Sequence, residues 1–358
     1  MRASSPISLL AVLASSVWAP VVCADTTRQA DSLELLQSLN DQAIEALGEA
    51  EAAATKRSTG QCNISNAAVR KDCEKKDYIK AVQCLFDSPS KVDPAIVPGA
   101  RTRYDDFVAV HINQTLSIHG TYWNWFRYQD DLTKAPLFDG SEYSLSGDGE
   151  YLEHNGTLTG LGTIYIPSGK GGGCIKEGPL KDVKINIGPV LPDMDGMEPN
   201  PGGRFAYNPR CISRDLNSYA MSTWMTGTNL WNLTLGDAGK SILSFQNELQ
   251  GRFSDGFLGL HASGHHALGG EATDLYSSLN DPSFYLHHTM VDRIYWIWQA
   301  LHLSQADTIA GTITILNNPP SRNATKEDPI YMEVLGEDST IGDLLNTLSG
   351  DPLCYIYL

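Results

Sequence analysis

The sequence lacks several features that would assign it to common classes of protein. Basic residues are few: 26 Lys and Arg stand against 42 Asp and Glu, which gives a net charge of −16. This charge opposes binding to nucleic acid and to anionic lipid. After the first 24 residues no apolar run is long enough to cross a bilayer. No internal repeat and no clean linker divides the rest, so we expect one main domain and no membrane or nucleic-acid partner.

The N-terminal segment has the pattern of a secretory signal peptide. Residues 1–24 contain Arg2, an apolar run over residues 7–22, and a small-residue ending at Ala24. The run is broken by Ser and Pro and is too short for a membrane anchor. We therefore predict cleavage after Ala24 and a secreted, extracellular mature protein.

Cysteine is scarce in the predicted mature part, which contains only six. An even number of cysteines fits disulfide bonds in an oxidising compartment. Cys174 and Cys211 both lie in the loop-rich middle and are the preferred pair, while Cys62 with Cys73 or Cys84 is a weaker alternative. Five N-x-S/T sequons fit a glycosylated surface. They are Asn63, Asn113, Asn155, Asn232 and Asn323.

The hydrophobic pattern predicts a mainly helical chain with long loops. Helical periodicity is found over residues 30–55, 65–86, 239–251 and 283–303. The first of these lies in an N-terminal helical extension, residues 25–59. Residues 137–215 are dense in Gly, Pro, Asn and Asp, which indicates irregular loops with short strands. The tail, residues 310–358, contains short strand-like runs such as GTITIL and LCYIYL.

Two of the nine histidines lie four residues apart, in GLHASGHHALGG. On a helix this spacing puts His261 and His265 on one face, one turn apart, where both imidazoles can bind one metal ion. Ala262 stands where a zinc protease of the HExxH type has its glutamate, so that pattern is absent. A single HxxxH is more often an ordinary pair of histidines, and a third ligand is needed to favour a metal site.

The third ligand is found in the segment DPSFYLHHTMVDRIYWIWQ, which contains His287 and His288. Asp281 followed by proline is typical of a helix start. Asp292, four residues after His288, is a candidate acceptor that orients an imidazole from outside the metal. Three imidazoles on two helices form a site that suits Zn, Cu or Fe.

These segments resemble the tyrosinase and catechol oxidase family, whose members contain two adjacent copper ions. DPSFYLHHTMVDRIYWIWQ is similar to the family's second copper segment, CuB, and the position-by-position match makes His288 the ligand. On a helix His287 points about 100° away from His288, so we expect it to support the site from outside the metal or to pack in the interior. RYDDFVAVHINQTLSIHGT resembles the start of the first copper segment, CuA, in short secreted fungal enzymes. The resemblance covers roughly residues 60–358 and implies a central four-helix bundle within extensive loops and short strands.

The resemblance implies a set of copper ligands for each ion. His261, His265 and His288 would hold CuB, and His111 and His119 are the first two ligands of CuA. The family's third CuA histidine lies in an FLxWHR segment that opens a long helix and precedes a PYWxW motif. In this sequence HGT, ending at Thr121, runs directly into YWNW, so that bundle helix is missing or incomplete.

The consequence is an incomplete CuA site. We hypothesise that the gap reflects a gene-model error or a splice variant, and that the working enzyme contains the helix. His154 and His266 are weaker alternatives for the missing ligand. Cys354 would have lost its partner with the same segment.

The function implied by the resemblance is oxidation of o-diphenols, and as an alternative also of monophenols, to o-quinones with O2. The substrate would be a small phenol, and copper would be the cofactor, with two ions in a complete member and one as an alternative here. The alternative function is a catalytically inactive relative that binds a single copper at CuB. A zinc hydrolase with Glu271 as base, and an oxygen carrier related to the haemocyanins, are weaker. Because the chain ends 70 residues after His288 (358 − 288), we expect no C-terminal domain that covers the site.

Overall fold

The computed structural model describes residues 21–53, 62–70, 75–114, 121–314, 317–350 and 352–358. Most of the predicted signal peptide lies outside these ranges, as do Cys73 and the predicted CuA ligand His119. No helix among the described residues has both the length and the apolar character that a membrane span requires.

The described residues form a mainly helical protein, as predicted. The helices are α1 (Val21–Ala53), α2 (Lys75–Asp87), α3 (Arg103–Gln114), α4 (Ser218–Trp224), α5 (Gly227–Thr234), α6 (Ile242–Gln250), α7 (Gly259–Leu268) and α8 (Ser283–Leu301). Short 3₁₀ turns link several of them. The family's extra CuA helix has no counterpart among the described residues between α3 and α4.

Pairs of short strands surround the helices. The strands are β1 (Ala68–Arg70), β2 (Gly149–Tyr151), β3 (Thr157–Thr159), β4 (Ile164–Ile166), β5 (Gly172–Ile175), β6 (Pro329–Ile330), β7 (Ser339–Thr340) and β8 (Tyr355–Tyr357). β1 pairs in parallel with β8, and the pairs β2–β5, β3–β4 and β6–β7 are antiparallel. The loop-rich middle is therefore as expected.

The helix predicted over residues 65–86 is wrong in its first half. Residues 68–70 form β1, and the described helix spans Lys75–Asp87. The strand forms because the tail supplies a partner: Val69 lies opposite Ile356 in the parallel pair. Periodicity within one segment carries no information about a partner almost 300 residues away. Of the two strand-like runs in the tail, the one containing Tyr355–Tyr357 is a strand, whereas the described part of GTITIL, residues 311–314, is not.

Helix α1 covers one side of α8. Leu36, Leu39 and Ala43 follow helical spacing and are buried. Burial of a leucine side chain stabilises the fold by about 2 kcal/mol. Asn40 lies on the same buried face, where its Oδ1 accepts hydrogen bonds from Arg293 of α8 at 2.8 and 3.2 Å. The predicted cleavage after Ala24 would fall within the first residues of α1.

A buried ion pair fixes the start of α8. Asp281 accepts two hydrogen bonds from Arg214, each of 2.8 Å, and both side chains are fully buried. Burial raises the pKa of a carboxyl group, but the Arg214 guanidinium outweighs this and holds the pKa of Asp281 below its ordinary value. Asp281 Oδ1 also accepts from the N–H of Ser283, the first residue of α8, at 2.9 Å. The cap position itself is held by Pro282, one residue after the Asp281 cap that the sequence predicted. The helix thereby starts at a fixed position against the loop-rich middle.

Two disulfides close the described chain. One joins Cys174 to Cys211, the pair preferred from the sequence. The other joins Cys62 to Cys354, which corrects the expectation that Cys354 lacks a partner and that Cys62 pairs with Cys73 or Cys84. The parallel β1–β8 pair brings these two cysteines together. Cys84 has an exposed, free thiol.

Candidate metal centre

Three imidazoles from α7 and α8 converge on one point. His261 and His265 lie one turn apart on α7, and His288 faces them from α8. Their Nε2 atoms are separated by 3.2 Å (His261 to His265), 3.1 Å (His265 to His288) and 3.3 Å (His261 to His288). The three ligands that the sequence assigns to CuB are therefore brought together.

The opposite nitrogens of the two α7 imidazoles are held by acceptors. His261 Nδ1 lies 2.7 Å from Gln250 Oε1, and His265 Nδ1 lies 2.9 Å from the carbonyl oxygen of Ala272. A carbonyl accepts only, so in both rings the proton is on Nδ1 and the Nε2 lone pair is available. Such outer partners fix the tautomer and the ring orientation of metal-binding histidines.

This arrangement fits a metal ion. Because two Nε2 lone pairs face each other across about 3.2 Å, the contact between His261 and His265 is not a hydrogen bond. Two nitrogens about 2.0 Å from a tetrahedral ion are about 3.3 Å apart, which matches the observed separations. An ion between the three rings would convert a repulsive contact into coordination, and a purely nitrogen donor set suits copper.

Burial keeps the cluster uncharged. It lowers the pKa of His261 to about 4, with a smaller contribution from His111. Burial likewise lowers the pKa of His265 and of His288 well below the ordinary value. The ring of Phe284 stacks on His288 at 3.8 Å between centroids. Neutral imidazoles with apolar surroundings are prepared to bind a metal ion near neutral pH without first releasing protons.

His111, the first predicted CuA ligand, is buried in α3. Its Nδ1 lies 2.7 Å from the carbonyl oxygen of Tyr276, which leaves Nε2 for a ligand. Burial lowers its pKa to about 4. Its ring is 5.0 Å from that of Phe284, but it does not belong to the group whose ligand atoms converge. With His119 outside the described residues, His111 is the single CuA candidate that the structure places.

His287 is the fourth member of the converging group. Its side chain is fully buried, and its ring lies 4.7 Å from that of His265 and 5.5 Å from that of His261. The indole Nε1–H of Trp125 donates to its Nδ1 at 3.0 Å. The role expected for His287 was based on its direction on the helix. The hydrogen bond from Trp125 was not predicted.

The other histidines considered from the sequence lie elsewhere. The Nε2 atom of His154 is 3.1 Å from an oxygen of Asp215, and its side chain is 5% exposed, although a Gly-rich loop suggested a surface position. His266 is buried, and its Nε2 is 3.8 Å from Asp193. Neither belongs to the converging group. The suggestion that one of them replaces the missing CuA ligand stays a prediction.

Glu271 is committed to an ion pair. Its two carboxylate oxygens accept from Arg210 at 2.9 and 2.7 Å, and its side chain is 2% exposed. Burial raises the pKa of Glu271 above its ordinary value, and Arg210 partly offsets that effect. A carboxylate held in this way is a poor general base, which weakens the zinc-hydrolase alternative.

Asp292 contacts the end of the chain. Its Oδ2 accepts from the hydroxyl of Tyr355 at 2.8 Å and from that of Tyr357, and Arg70 lies 3.9 Å away. The carboxylate thus links α8 to the β1–β8 pair. Its predicted action on an imidazole of the site stays a prediction.

The sequons differ in their surroundings. Asn113, Asn155 and Asn323 are exposed, whereas Asn63 and Asn232 are half-buried. Asn232 Nδ2 donates to Glu248 Oε1 at 3.0 Å, and Glu248 is itself buried. A glycan at Asn232 would replace one of the two Nδ2 hydrogens, so a single N–H would remain for that bond.

Comparisons with known proteins agree with the geometry. The family described as the common central domain of tyrosinase matches residues 117–301. Tyrosinase P of Aspergillus terreus is 36% identical over 316 residues, covering 78% of this chain and 87% of the relative. N-acetyl-6-hydroxytryptophan oxidase of Emericella nidulans is 33% identical, covering 83% and 94%. The structure of a polyphenol oxidase variant from Thermothelomyces thermophila superimposes with a TM-score of 0.81 at 31% identity, over 94% of this chain and 100% of the other.

Proposed function

Because the chain belongs to the tyrosinase family, we propose that it is a copper-dependent oxidase that converts o-diphenols to o-quinones with O2. Family membership supports an oxidoreductase and a copper site in general. The o-diphenol is our inference, and monophenols are a further candidate class. The names of the similar proteins support a phenolic substrate, since one is a polyphenol oxidase and another oxidises a hydroxylated indole.

The observation that carries the proposal is the convergence of three Nε2 atoms within 3.1–3.3 Å of one another. His261, His265 and His288 would hold one copper ion. Copper, when bound, supplies the electron-accepting and electron-donating steps between the phenol and O2. Imidazole nitrogens are suitable ligands for both copper oxidation states.

The groups around the three imidazoles prepare them to bind a metal ion. Gln250 and the Ala272 carbonyl keep Nδ1 protonated on the two α7 ligands, so their lone pairs face the metal position. Phe284 covers one face of His288 and limits the access of water to it. Since no carboxylate is among the ligands, the ion would keep its full positive charge and attract the oxygen of a phenol.

The second copper depends on residues beyond the converging cluster. His111 offers one nitrogen, and His119 would offer another. We propose that the functional transcript encodes the missing helix between Thr121 and Tyr122, with a third histidine at its start. Sequencing the transcript across these two codons tests this, and a mature message with the same direct junction would contradict it.

A second candidate function is a catalytically inactive protein that binds a single copper ion. The completeness of the His261–His265–His288 cluster, beside the lone described CuA residue His111, favours it. The two functions are distinguished by copper per purified chain together with oxygen consumption in the presence of catechol. Two ions and rapid oxygen uptake support the oxidase, whereas one ion without uptake supports the inactive protein. A preference for zinc with no response to catechol would contradict both.

Secretion is part of the proposal. The N-terminal pattern over residues 1–24 and the two disulfides favour an oxidising compartment. Expression of the full chain in a fungal host, followed by N-terminal sequencing of the medium fraction, should give a mature protein that starts after Ala24. Retention inside the cell with an intact N-terminus would count against it.

A further inference from the structure

The metal centre contains one more histidine than a three-imidazole site needs. The centroids of the four rings, those of His261, His265, His287 and His288, lie between 4.7 and 5.5 Å from one another. Their potential ligand atoms all lie within 4.8 Å of one another. Proximity alone therefore does not determine which three bind the metal.

Hydrogen bonding separates the four. The Nε1–H of Trp125 points to Nδ1 of His287 at 3.0 Å. An indole nitrogen can donate but never accept, so His287 must offer the lone pair of Nδ1 to it. The proton of the neutral ring is then on Nε2. With one lone pair engaged and the other nitrogen protonated, His287 has no free lone pair for a metal.

The ligand imidazoles of α7 have the opposite polarity. Gln250 and the Ala272 carbonyl are acceptors and place the proton of His261 and His265 on Nδ1. An acceptor behind a ring exposes an Nε2 lone pair to the centre, whereas a donor behind a ring removes one. The partner behind each ring thus determines whether the ring can coordinate.

The backbone of α7 gives His287 a fixed position. Its ring lies directly over Gly264, where a Cβ atom would be 2.1 Å from Cε1 and 2.4 Å from Nδ1. Gly264 stands immediately before His265, so the same ring contacts the helix between the two α7 ligands. The plane of His287 is within 7° of that of His261. Because no other residue fits at position 264 without a shift, the ring and α7 are held at a fixed distance.

The indole itself is held by α8. Trp125 is fully buried, and two residues earlier the N–H of Trp123 donates to the carbonyl oxygen of Leu286 at 2.9 Å. The segment over residues 122–126 is therefore attached to α8 next to His287. This fixes the donor relative to its acceptor independently of any metal.

We propose that Trp125 is a positioning residue that keeps His287 out of the coordination sphere, so that exactly three of the four clustered imidazoles bind copper. Gly264 is the seat that holds the His287 ring in register with α7. The proposal rests on the proposed copper site. The part that concerns the tautomer of His287 holds with or without the ion.

The test is a long-range ¹H–¹⁵N correlation spectrum of the full chain, labelled with ¹⁵N-histidine, before and after addition of Cu(I). A His287→Gln variant assigns the His287 signals by their disappearance. We expect His287 to show protonated Nε2 and unprotonated Nδ1 in the metal-free protein, and to be unchanged by Cu(I). The Nε2 signals of His261, His265 and His288 should shift on metal addition.

A Trp125→Phe variant tests the indole. Without the N–H donor, His287 should populate the tautomer with protonated Nδ1, and its Nε2 signal should then respond to Cu(I). We expect the copper dissociation constant to change about tenfold, the low end of the effect of outer partners on metal affinity. The double variant Trp125→Phe/His287→Phe should restore a response from three ligands only.

The outcomes separate the inference from the proposed function. A metal-induced shift of His287 Nε2 in the unmodified chain, or an unchanged His287 tautomer in Trp125→Phe, overturns the inference. If no histidine responds to Cu(I), the copper site itself fails, while the metal-free spectrum still decides the tautomer. Should Trp125→Phe not fold, the unmodified chain and His287→Gln alone show whether His287 is a ligand.

Discussion

Helices α7 and α8 together supply three imidazoles to one point, whereas α3 supplies one. On the predicted CuB side, acceptors hold Nδ1 of His261 and His265, and Phe284 packs on His288. All of these elements follow one another within residues 250–301. On the predicted CuA side, His111 has the same surroundings as the α7 histidines: it is buried, and its Nδ1 faces a carbonyl oxygen. The difference is that the second predicted CuA ligand, His119, lies outside the described residues, and the third has no counterpart in the sequence. A metal site thus requires every contributing element, and one well-placed ligand does not indicate a complete site.

The largest effect should follow from loss of a CuB ligand. We expect His288→Phe to remove copper from the cluster, with an affinity loss beyond the 10–100-fold that outer partners cause, since two imidazoles remain. Copper per chain after dialysis measures it. His302→Gln is the matched control, because His302 lies beyond the end of the same helix and bonds to the Thr234 carbonyl. Equal copper in both variants would contradict the assignment.

The start of α8 should matter next, through stability. Asp281→Asn leaves the fully buried Arg214 without its charge partner, and we expect a loss of about 3–5 kcal/mol in the free energy of unfolding. Chemical unfolding measures it. As a control, Glu150→Gln removes the exposed pair with Lys176, where both side chains are more than half exposed, and should cost below about 1 kcal/mol. Similar losses in both would refute the role given to Asp281.

Without metal, His111 on the CuA side and His261 on the CuB side should make the stability of the protein depend on pH in the same way. His111 and His261 both have a pKa of about 4, lowered by burial, against 6.5 in the unfolded chain. Between these values the unfolded state binds more protons, so stability falls as the pH falls from about 6.5 to about 4. Each histidine contributes roughly 3 kcal/mol by the value of 1.36 kcal/mol per pKa unit.

Unfolding of metal-free protein at several pH values measures this effect. His111→Phe and His261→Phe should each flatten the pH dependence by a similar amount. A flat profile in the unmodified chain would show that neither ring is buried in its neutral form. An effect confined to His261→Phe would place the two halves in different environments.

A smaller effect is expected from the partner behind His261. Gln250→Leu removes the acceptor for Nδ1–H and should weaken copper binding 10–100-fold without changing the number of ions bound. Gln250→Glu retains an acceptor and should restore the affinity. Competition with a copper chelator measures both variants. Equal affinity of Gln250→Leu and the unmodified chain would show that His261 does not depend on this bond.

The smallest effect on copper binding at the CuB cluster should come from a change on the CuA side. His111→Phe removes the described CuA candidate, and copper affinity at the predicted CuB cluster should fall by less than the ~10-fold lower end expected for a partner of a ligand, because His111 does not belong to the converging group. Chelator competition with the protein of 358 residues measures it. A loss of CuB copper as large as that of His288→Phe would mean that the two sides are one site.

The sequence was sufficient to predict the histidine cluster, because its members lie close together along the chain. The spacing of His261 and His265, and the DPxFxxHH segment with His288, predicted the cluster that the structure brings together. The mainly helical fold was predicted for the same reason, because helical periodicity is a local property. The capping pattern predicted the start of α8 to within one residue: Asp281 was the expected cap and Pro282 the first helical residue, whereas the helix begins at Ser283 with Pro282 as its cap.

The remaining features depend on contacts between distant segments. Gln250 precedes His261 by 11 residues, and Trp125 precedes His287 by 162, so neither follows from helical spacing. The strand at Ala68–Arg70 forms by pairing with Tyr355–Tyr357 at the other end of the chain. Its own sequence, taken without that partner, predicted a helix. His154 was predicted to be exposed because glycine-rich loops are usually at the surface. Its side chain is instead buried beside the carboxylate of Asp215.

The bond between Cys62 and Cys354 determines how the molecule is connected covalently. These cysteines are 292 positions apart, so nearly the whole chain forms one closed ring, with α1 attached as a tail. A single break anywhere in the ring, including the long loops, leaves the two pieces joined. A break ahead of Cys62 leaves α1 attached only by contacts such as those of Asn40 with Arg293 and Tyr357. The helix that covers α8 is thus, with the last four residues after Cys354, outside the ring and can be released by one cut. The histidine cluster stays within the ring.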